Sequence, residues 1–229
     1  MNGTLDPVTS YYVQGKSYPI CHRNLMLSQL PYLRKKFELY EDFARASMSD
    51  LFTEDEISDA YMAECRFFES AYIENSGDGS FRIHPLPIEA QFAPVFGMLA
   101  NDYNSDGNFD LLLVGNFHSS NVEDGQYDAF KGLFLEGDGR GNFSPVLTRE
   151  SGFFVDGDAK GMAEITSSDG SSLILVAQNA GEMKVFKTGT AGKHTIRLQR
   201  DDVRAEIVYN TGVTGYREFY CGSGYRRNL

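Results

Sequence analysis

Residues 102–115 read DYNSDGNFDLLLVG, an oxygen-rich nonapeptide followed directly by an apolar run. The oxygen-bearing side chains stand at positions 1, 3, 5 and 9 of the nonapeptide, as Asp102, Asn104, Asp106 and Asp110. Gly107 stands at the position where a glycine permits a sharp turn. Hard cations such as Ca²⁺ take six to eight oxygen ligands, and a short loop with this alternation can supply them. The segment therefore predicts a calcium-binding loop that leads into a fully buried strand, because residues 111–115 are apolar on both faces.

The nonapeptide is also similar in composition to an EF-hand loop and to an acidic turn without a metal. An EF-hand loop uses a similar alternation but ends in a bidentate glutamate at position 12. That position is Leu113 in this chain, inside the apolar run, so the sequence argues against an EF-hand. An acidic turn without a metal remains as the alternative, because Asp and Asn side chains also hydrogen-bond to the backbone of turns.

The composition is that of a globular and acidic chain. Of its 229 residues, 41% are hydrophobic and 23% are charged, and the net charge is −11. Phosphate contacts need a basic surface, so the composition argues against nucleic-acid binding. No apolar run is long enough to span a membrane. The acidity suits a calcium-rich, extracytoplasmic setting, although cytosolic proteins are often equally acidic.

The cysteines and the N-terminus add little. Cys21, Cys65 and Cys221 are odd in number and lack metal-ligand spacing. Buried thiols are favoured over a disulfide, since free cysteine often packs as a small hydrophobe. Residues 1–20 lack the basic and then apolar order of a signal peptide.

Patterning divides the chain into three segments, 1–65, 66–190 and 191–229. In the first, residues 1–20 are expected to be irregular. Residues 22–64 are expected to be helical, with a fresh turn at Pro31 and a capping box ahead of Ile57, Tyr61 and Met62. This helical segment is interpreted as a cover for one face of a β-structure, with a docking element as the alternative.

The segment from 66 to 190 is patterned as strands and tight turns. Hairpins are predicted around the turns at 75–80 and 136–142, and a second buried strand at 173–177 follows a turn at 167–171. The order of strand, polar turn and buried strand therefore occurs twice, at a spacing near 60 residues, with residues 111–115 matched to 173–177. Such a period is typical of propeller blades.

The last segment, 191–229, is predicted to form a small separate antiparallel sheet. Its strands are expected at 194–200, 203–209 and 216–220, where apolar and polar residues alternate.

The loop and its strand, residues 102–117, resemble the calcium loop of FG-GAP repeats, also called VCBS repeats. These repeats build the β-propellers of integrin α-subunits and of many secreted bacterial proteins. The turns at 77–81 and 137–143 resemble hairpins of the same repeats, and residues 217–225 resemble the end of the ASPIC/UnbV module. Taken together, the chain looks like the C-terminal portion of a VCBS-repeat protein of the kind abundant in Bacteroidetes.

The resemblance implies a Ca²⁺ ligand set in which Asn108 gives its backbone carbonyl and the remaining ligands give side-chain oxygens. Those side chains are Asp102, Asn104, Asp106 and Asp110. It also implies a mainly β fold with propeller-type blades, a helical insertion and a small C-terminal sheet. Only about two blades are expected, whereas a closed propeller needs at least four. The chain is therefore expected to be a fragment, or else to manage its open edges by oligomerising or by its helical cover.

The expected function is a non-catalytic, calcium-stabilised, extracytoplasmic module that presents loops to a protein or glycan ligand. One alternative is the non-catalytic part of a carbohydrate-active enzyme, such as a calcium-containing propeller polysaccharide lyase. The other is a purely architectural element. No catalytic motif is present, and the four histidines are scattered. Asp156 and Asp158 form a second acidic pair, for which a solvated turn is favoured over a second ion site.

Overall fold

The computed structural model describes residues 5–122, 125–169, 171–188, 203–208 and 214–218. The protein is mainly β, with its strands in antiparallel sheets and only short helices. The chain divides into two compact units, Met1–Arg66 and Phe67–Leu229. In the described part of the chain, no helix is both long and apolar enough to cross a membrane.

The N-terminal unit starts with an antiparallel hairpin of β1 (Ser10–Val13) and β2 (Lys16–Pro19). The prediction that residues 1–20 are irregular is therefore wrong. The turn between the strands consists of Gln14 and Gly15, both with positive φ, which is the conformation that a two-residue hairpin turn needs. The signal for this hairpin is the Gln14–Gly15 pair between two tyrosine-containing stretches, and the sequence prediction did not use it.

Short helices follow in the N-terminal unit. They are α1 (Arg23–Gln29), a 3₁₀ helix (Pro31–Lys35), α2 (Tyr40–Ala44), α3 (Met48–Leu51) and α4 (Glu54–Ile57). Pro31 begins a new turn and Thr53 forms a capping box with Glu56, as predicted. Tyr61 and Met62 lie beyond the last helix and are exposed, so the helical prediction extended too far.

The N-terminal unit has a hydrophobic core of its own. The buried side chains are Met26, Leu27, Leu30, Leu33, Phe37, Phe43, Ala46 and Leu51. Cys21 packs against this core as a half-buried thiol, and burial raises its pKa. Phe37 and Phe43 meet edge to face, with ring centroids 5.6 Å apart.

The second unit begins with a hairpin and continues with a four-stranded antiparallel sheet. The hairpin is β3 (Ala71–Asn75) with β4 (Phe81–Pro85). Sheet 1 has the order β5 (Val95–Asn101), β6 (Asp110–Gly115), β7 (Leu133–Gly137) and β8 (Phe143–Val146). Every residue of β6 is buried, which confirms the prediction of a fully buried strand.

Sheet 2 follows after the short helix α5 (Thr148–Ser151). It consists of β9 (Ala159–Thr166), β10 (Ser172–Gln178) and β11 (Lys184–Lys187), in the order β9-β10-β11. Leu112 and Val114 of sheet 1 pack against Ile174 and Val176 of sheet 2. The opposite face of sheet 1, with Leu111 and Leu113, is covered by other residues: Leu86, Ala90, Ala93 and Phe130.

The strand pairings show one irregularity that the two sheets share. Val95 pairs with Gly115 and Gly97 with Val114, so Phe96 is an extra residue in β5. Sheet 2 has the same irregularity, with Lys160 as the extra residue between Ala159 and Gly161. Sheet 1 is a four-stranded meander and sheet 2 has three described strands, and the described residues form no closed propeller.

The pairings also correct the register of the repeat. Asn101 pairs with Asp110 in sheet 1, and Ile165 pairs with Leu173 in sheet 2. The turn in sheet 2 is one residue shorter, so residues 111–115 correspond to 174–178 and not to 173–177. Leu173 consequently occupies the place of Asp110, and the repeated turn lacks the carboxylate at position 9.

The last described elements are β12 (Arg204–Val208) and β13 (Thr214–Glu218), which form a two-stranded antiparallel sheet. These strands agree in place with two of the three predicted in the tail. The third, at 194–200, lies outside the described residues, as does Cys221.

Candidate functional site

The predicted calcium loop connects β5 to β6, and Asp110 anchors its end. Asp110 is fully buried. Its Oδ2 accepts a hydrogen bond from the Tyr103 backbone N–H at 2.9 Å, and its Oδ1 accepts one from the Gly137 N–H at 3.1 Å. One carboxylate therefore ties the start of the loop, the first residue of β6 and the end of β7 together.

Asp102 organises the other side of the loop. Its Oδ1 accepts hydrogen bonds from the N–H groups of Ser105 and Asp106, and its Oδ2 accepts one from Gly107. Ser105 and Gly107 both have positive φ, which gives the loop its sharp turn. Position 1 of the nonapeptide thus folds the loop around its own carboxylate.

Asn104 and Asp106 lie at the exposed tip of the loop. The Asn104 side-chain N–H₂ donates to Asp106 Oδ2 at 3.3 Å, and the Asn108 backbone N–H donates to Asp106 Oδ1 at 2.8 Å. The hydrogen bond from the Asn108 backbone is the main reason that the pKa of Asp106 lies below its usual value. The loop therefore holds this carboxylate in its ionised form.

The chemistry of the loop fits a hard cation, because every candidate ligand is an oxygen. A carboxylate oxygen that accepts one backbone hydrogen bond can still make a further contact. Across the described ranges, however, no three His, Cys, Asp or Glu side chains converge in the manner of a metal site. The five predicted ligands share one loop between two strands of sheet 1, but the structure does not bring the carboxylates of Asp102, Asp106 and Asp110 together at one point.

A second polar cluster lies where β9 begins, and the sequence did not reveal it. Lys160 Nζ lies 2.5 Å from Asp158 Oδ1 and donates to the Asn116 carbonyl at 2.8 Å. The same ammonium lies over the Phe96 ring, 3.9 Å from its centroid. Asp158 is buried and Lys160 is largely buried, and the contacts of the ammonium with Asn116 and Phe96 join the start of β9 to sheet 1.

Asp158 is therefore not part of a solvated turn, and that expectation is wrong for this residue. Burial alone would raise the pKa of Asp158, but hydrogen bonds from Lys160 and Asn179 outweigh it and hold the pKa below its usual value. Asp156 pairs instead with Lys184, at 2.5 Å. The two carboxylates each face a lysine.

Asn116 is a buried residue with a positive φ of 83° directly after β6. Its side chain donates to the carbonyls of Phe130 and Gly157 at 2.8 and 3.1 Å and accepts from the Phe130 N–H at 3.0 Å. It joins three chain segments by one amide. The Gly–Asn pair at a strand end was a weak signal for such a residue, because Asn tolerates positive φ.

The N-terminal unit carries a shallow depression lined by Arg23, Asn24, Leu27, Arg34 and Glu38. Arg23 donates from Nε to the Phe37 carbonyl at 2.9 Å and from a terminal nitrogen to the Glu38 carbonyl at 2.8 Å. These bonds join the side chain of Arg23, at the start of α1, to the backbone just after the 3₁₀ helix.

Comparison with known proteins gave no relative. No family model matches the chain, and neither a curated protein nor a solved structure matches it.

Proposed function

We propose that the chain is a non-catalytic, calcium-stabilised β-module built from propeller-type blades of the FG-GAP/VCBS kind. The observation that carries the proposal is the loop from Asp102 to Asp110. It collects five candidate oxygen ligands between two strands of sheet 1, and its buried Asp110 ties the loop to β7. A cation bound there would act as a structural staple of the sheet.

The proposed setting is extracytoplasmic, at the cell surface, in the periplasm or secreted. Calcium is abundant in such places, and extracellular calcium modules bind the ion with dissociation constants of about 10⁻⁴–10⁻³ M. A loop with two exposed ligands, Asn104 and Asp106, suits this weak class of site. The loops beside the ion are the proposed surface for a protein or glycan ligand.

Calcium should raise the thermal midpoint of unfolding, and Asp106→Ala should abolish that rise. A ligand that binds only the folded state at 100 times its dissociation constant adds about 2.7 kcal/mol to the free energy of unfolding. For a chain of this size, that corresponds to a rise of roughly 5–10 °C. Differential scanning calorimetry with and without about 10 mM calcium, which is 100 times a dissociation constant of about 10⁻⁴ M, measures the shift.

Asp138→Ala is the matched control for this prediction. Asp138 is also an exposed aspartate in a tight turn and accepts backbone hydrogen bonds from Arg140 and Asn142. It stands in the β7–β8 turn and not in the loop, so its variant should keep the calcium response. An unchanged midpoint of the wild type in millimolar calcium would sink the metal assignment.

The binding role is tested with a glycan panel, probed in calcium and in chelator. Glycan binding that requires calcium and is lost in Asp106→Ala supports a binding surface formed by these loops. Glycan binding that changes neither with calcium nor with Asp106→Ala contradicts this binding role.

A further inference from the structure

Sheet 2 has an apolar face whose counterpart in sheet 1 is buried by another sheet. The shared bulge makes Leu175 the equivalent of Leu112, which packs against sheet 2. The pairing likewise makes Val185 the equivalent of Phe134, which belongs to the same buried contact. In sheet 2, Val185 is 51% exposed, and Ile165 on the same face is 43% exposed. We call the surface of Ile165, Leu175 and Val185 the outer face of sheet 2.

A second exposed apolar face lies at the opposite end of the unit, on the β3–β4 hairpin. One side of this hairpin leans on sheet 1, since the Tyr72 ring lies 6.1 Å from that of Phe143. The other side carries Ile73 and Ile83, which pair directly, together with Phe81. Their exposed fractions are 59%, 53% and 64%. We call this surface the outer face of the hairpin.

The two outer faces lie on opposite sides of sheet 1. Phe143 packs with Leu111 and Leu113, on the side of sheet 1 that faces away from sheet 2. The unit is thus a stack of hairpin, sheet 1 and sheet 2, with an apolar surface at each end. An isolated two-stranded hairpin is only marginally stable in water, so the hairpin gains from packing on both of its sides.

We propose that a second copy of this chain docks head to tail, with its hairpin outer face on the outer face of sheet 2 of the first copy. The inference rests on the blade architecture in the proposed function. Sheet 1 shows what such a face accepts, because its equivalent surface is covered by an apolar β-face. The hairpin outer face supplies that kind of surface and faces the required direction. A head-to-tail contact of this kind repeats from copy to copy until a ring closes or a filament grows.

Two single substitutions test the docking by complementation in the full chain. Val185→Lys blocks the outer face of sheet 2 and leaves the hairpin face intact, whereas Ile83→Lys does the reverse. Each variant alone should be monomeric in sedimentation velocity, while the wild type should associate with rising concentration. An equimolar mixture should form a one-to-one heterodimer, because it contains one intact face of each kind. Physiological salt screens the repulsion between acidic copies.

Val122→Lys is the control for a general effect of added lysine, since Val122 is fully exposed in a loop. It should associate like the wild type. Ile165→Lys and Ile73→Lys form a second complementing pair, should either first variant lose its far-ultraviolet circular dichroism spectrum. A wild type that stays monomeric, a single variant that associates as the wild type does, or a mixture that stays monomeric would overturn the docking.

The docking and the metal assignment fail independently. If calcium leaves the midpoint unchanged while the mixture forms heterodimers, the metal assignment fails and the docking stands. If calcium raises the midpoint while the mixture stays monomeric, the docking fails and the metal assignment stands.

Discussion

Asn116 and Lys160 hold the junction between the two sheets with single side chains. The Asn116 side-chain amide hydrogen-bonds to both the N–H and the C=O of Phe130. The backbone carbonyl of Asn116 accepts a hydrogen bond from the Lys160 ammonium. Buried polar groups cost little when all their partners are present and much when one is removed. The junction therefore stabilises the fold only when Asn116, Phe130 and Lys160 all keep their hydrogen bonds.

Asn116→Ala should lower the free energy of unfolding by about 3–7 kcal/mol. The substitution leaves the buried N–H and C=O of Phe130 without a partner, at about 1–3 kcal/mol for each unsatisfied group. It also places alanine at a positive φ, which costs about 1 kcal/mol more. Urea unfolding measures the change.

Asn116→Gly separates these two contributions, because glycine adopts positive φ without strain. It should be about 1 kcal/mol less damaging than the alanine variant. Equal stabilities of the glycine variant and the wild type would show that the amide hydrogen bonds contribute nothing.

At the level of elements, β5 and β9 approach each other where both carry a glycine. A Cβ on Gly97 would lie 2.8 Å from Val114 Cγ2 and 3.2 Å from the Gly161 backbone. The missing side chain is what lets sheet 2 pack closely on sheet 1 at this point. The neighbouring bulge then directs Phe96 and Lys160 toward each other.

Gly97→Ala should destabilise the protein by about 1–3 kcal/mol, the usual cost of overpacking a tight contact. Gly161→Ala is the matched control, because a Cβ there would have no atom within 4 Å. The control should be neutral or slightly stabilising, since alanine restricts the unfolded chain. Chemical denaturation of both variants measures their free energies of unfolding. Equal losses of stability in the two variants would contradict the close approach at Gly97.

Elements with strong local signals were predictable, and tertiary contacts were not. The buried run at 111–115 and the glycine turns of the β3–β4 and β7–β8 hairpins are encoded locally, so their strands were predicted correctly, whereas the β1–β2 hairpin was missed. The helical segment was predicted too long, because apolar spacing alone did not show where each short helix ends. Residues 173–177 form a strand as predicted, but only one of its faces is buried, and the pairing matches residues 111–115 to 174–178 instead. Only the pairing reveals that the second turn is shorter.

At the scale of the whole molecule, the candidate loop could be located from the sequence because all its ligands are neighbours in the chain. The Asp158–Lys160–Asn116 cluster could not, since Asn116 lies more than forty residues before the other two. Its members carry no shared motif, and Asp158 has the same local pattern as a solvated acidic turn. The burial that distinguishes it arises only when sheet 2 packs on sheet 1.

Acid should destabilise the whole molecule, because carboxyl groups in both units have pKa values below their usual range. These are Asp50, Glu56, Asp78, Asp106, Asp138, Asp156, Asp158 and Asp169. In all but Asp158, the largest contribution is a hydrogen bond to the ionised form. A folded-state pKa below the unfolded value of about 4 adds stability above that pH, and this stability is lost as pH falls through the folded-state value. The thermal midpoint in metal-free buffer should therefore stay constant between pH 7 and 5 and fall below about pH 4.

Asp158→Asn should lower the midpoint at pH 7, because it leaves the largely buried Lys160 ammonium without its carboxylate. It should also make the fall of the midpoint in acid less steep. Asp78→Asn, at an exposed turn, should do neither. A wild-type midpoint that stays constant down to about pH 2.5 would show that these hydrogen-bonded carboxylates do not stabilise the fold.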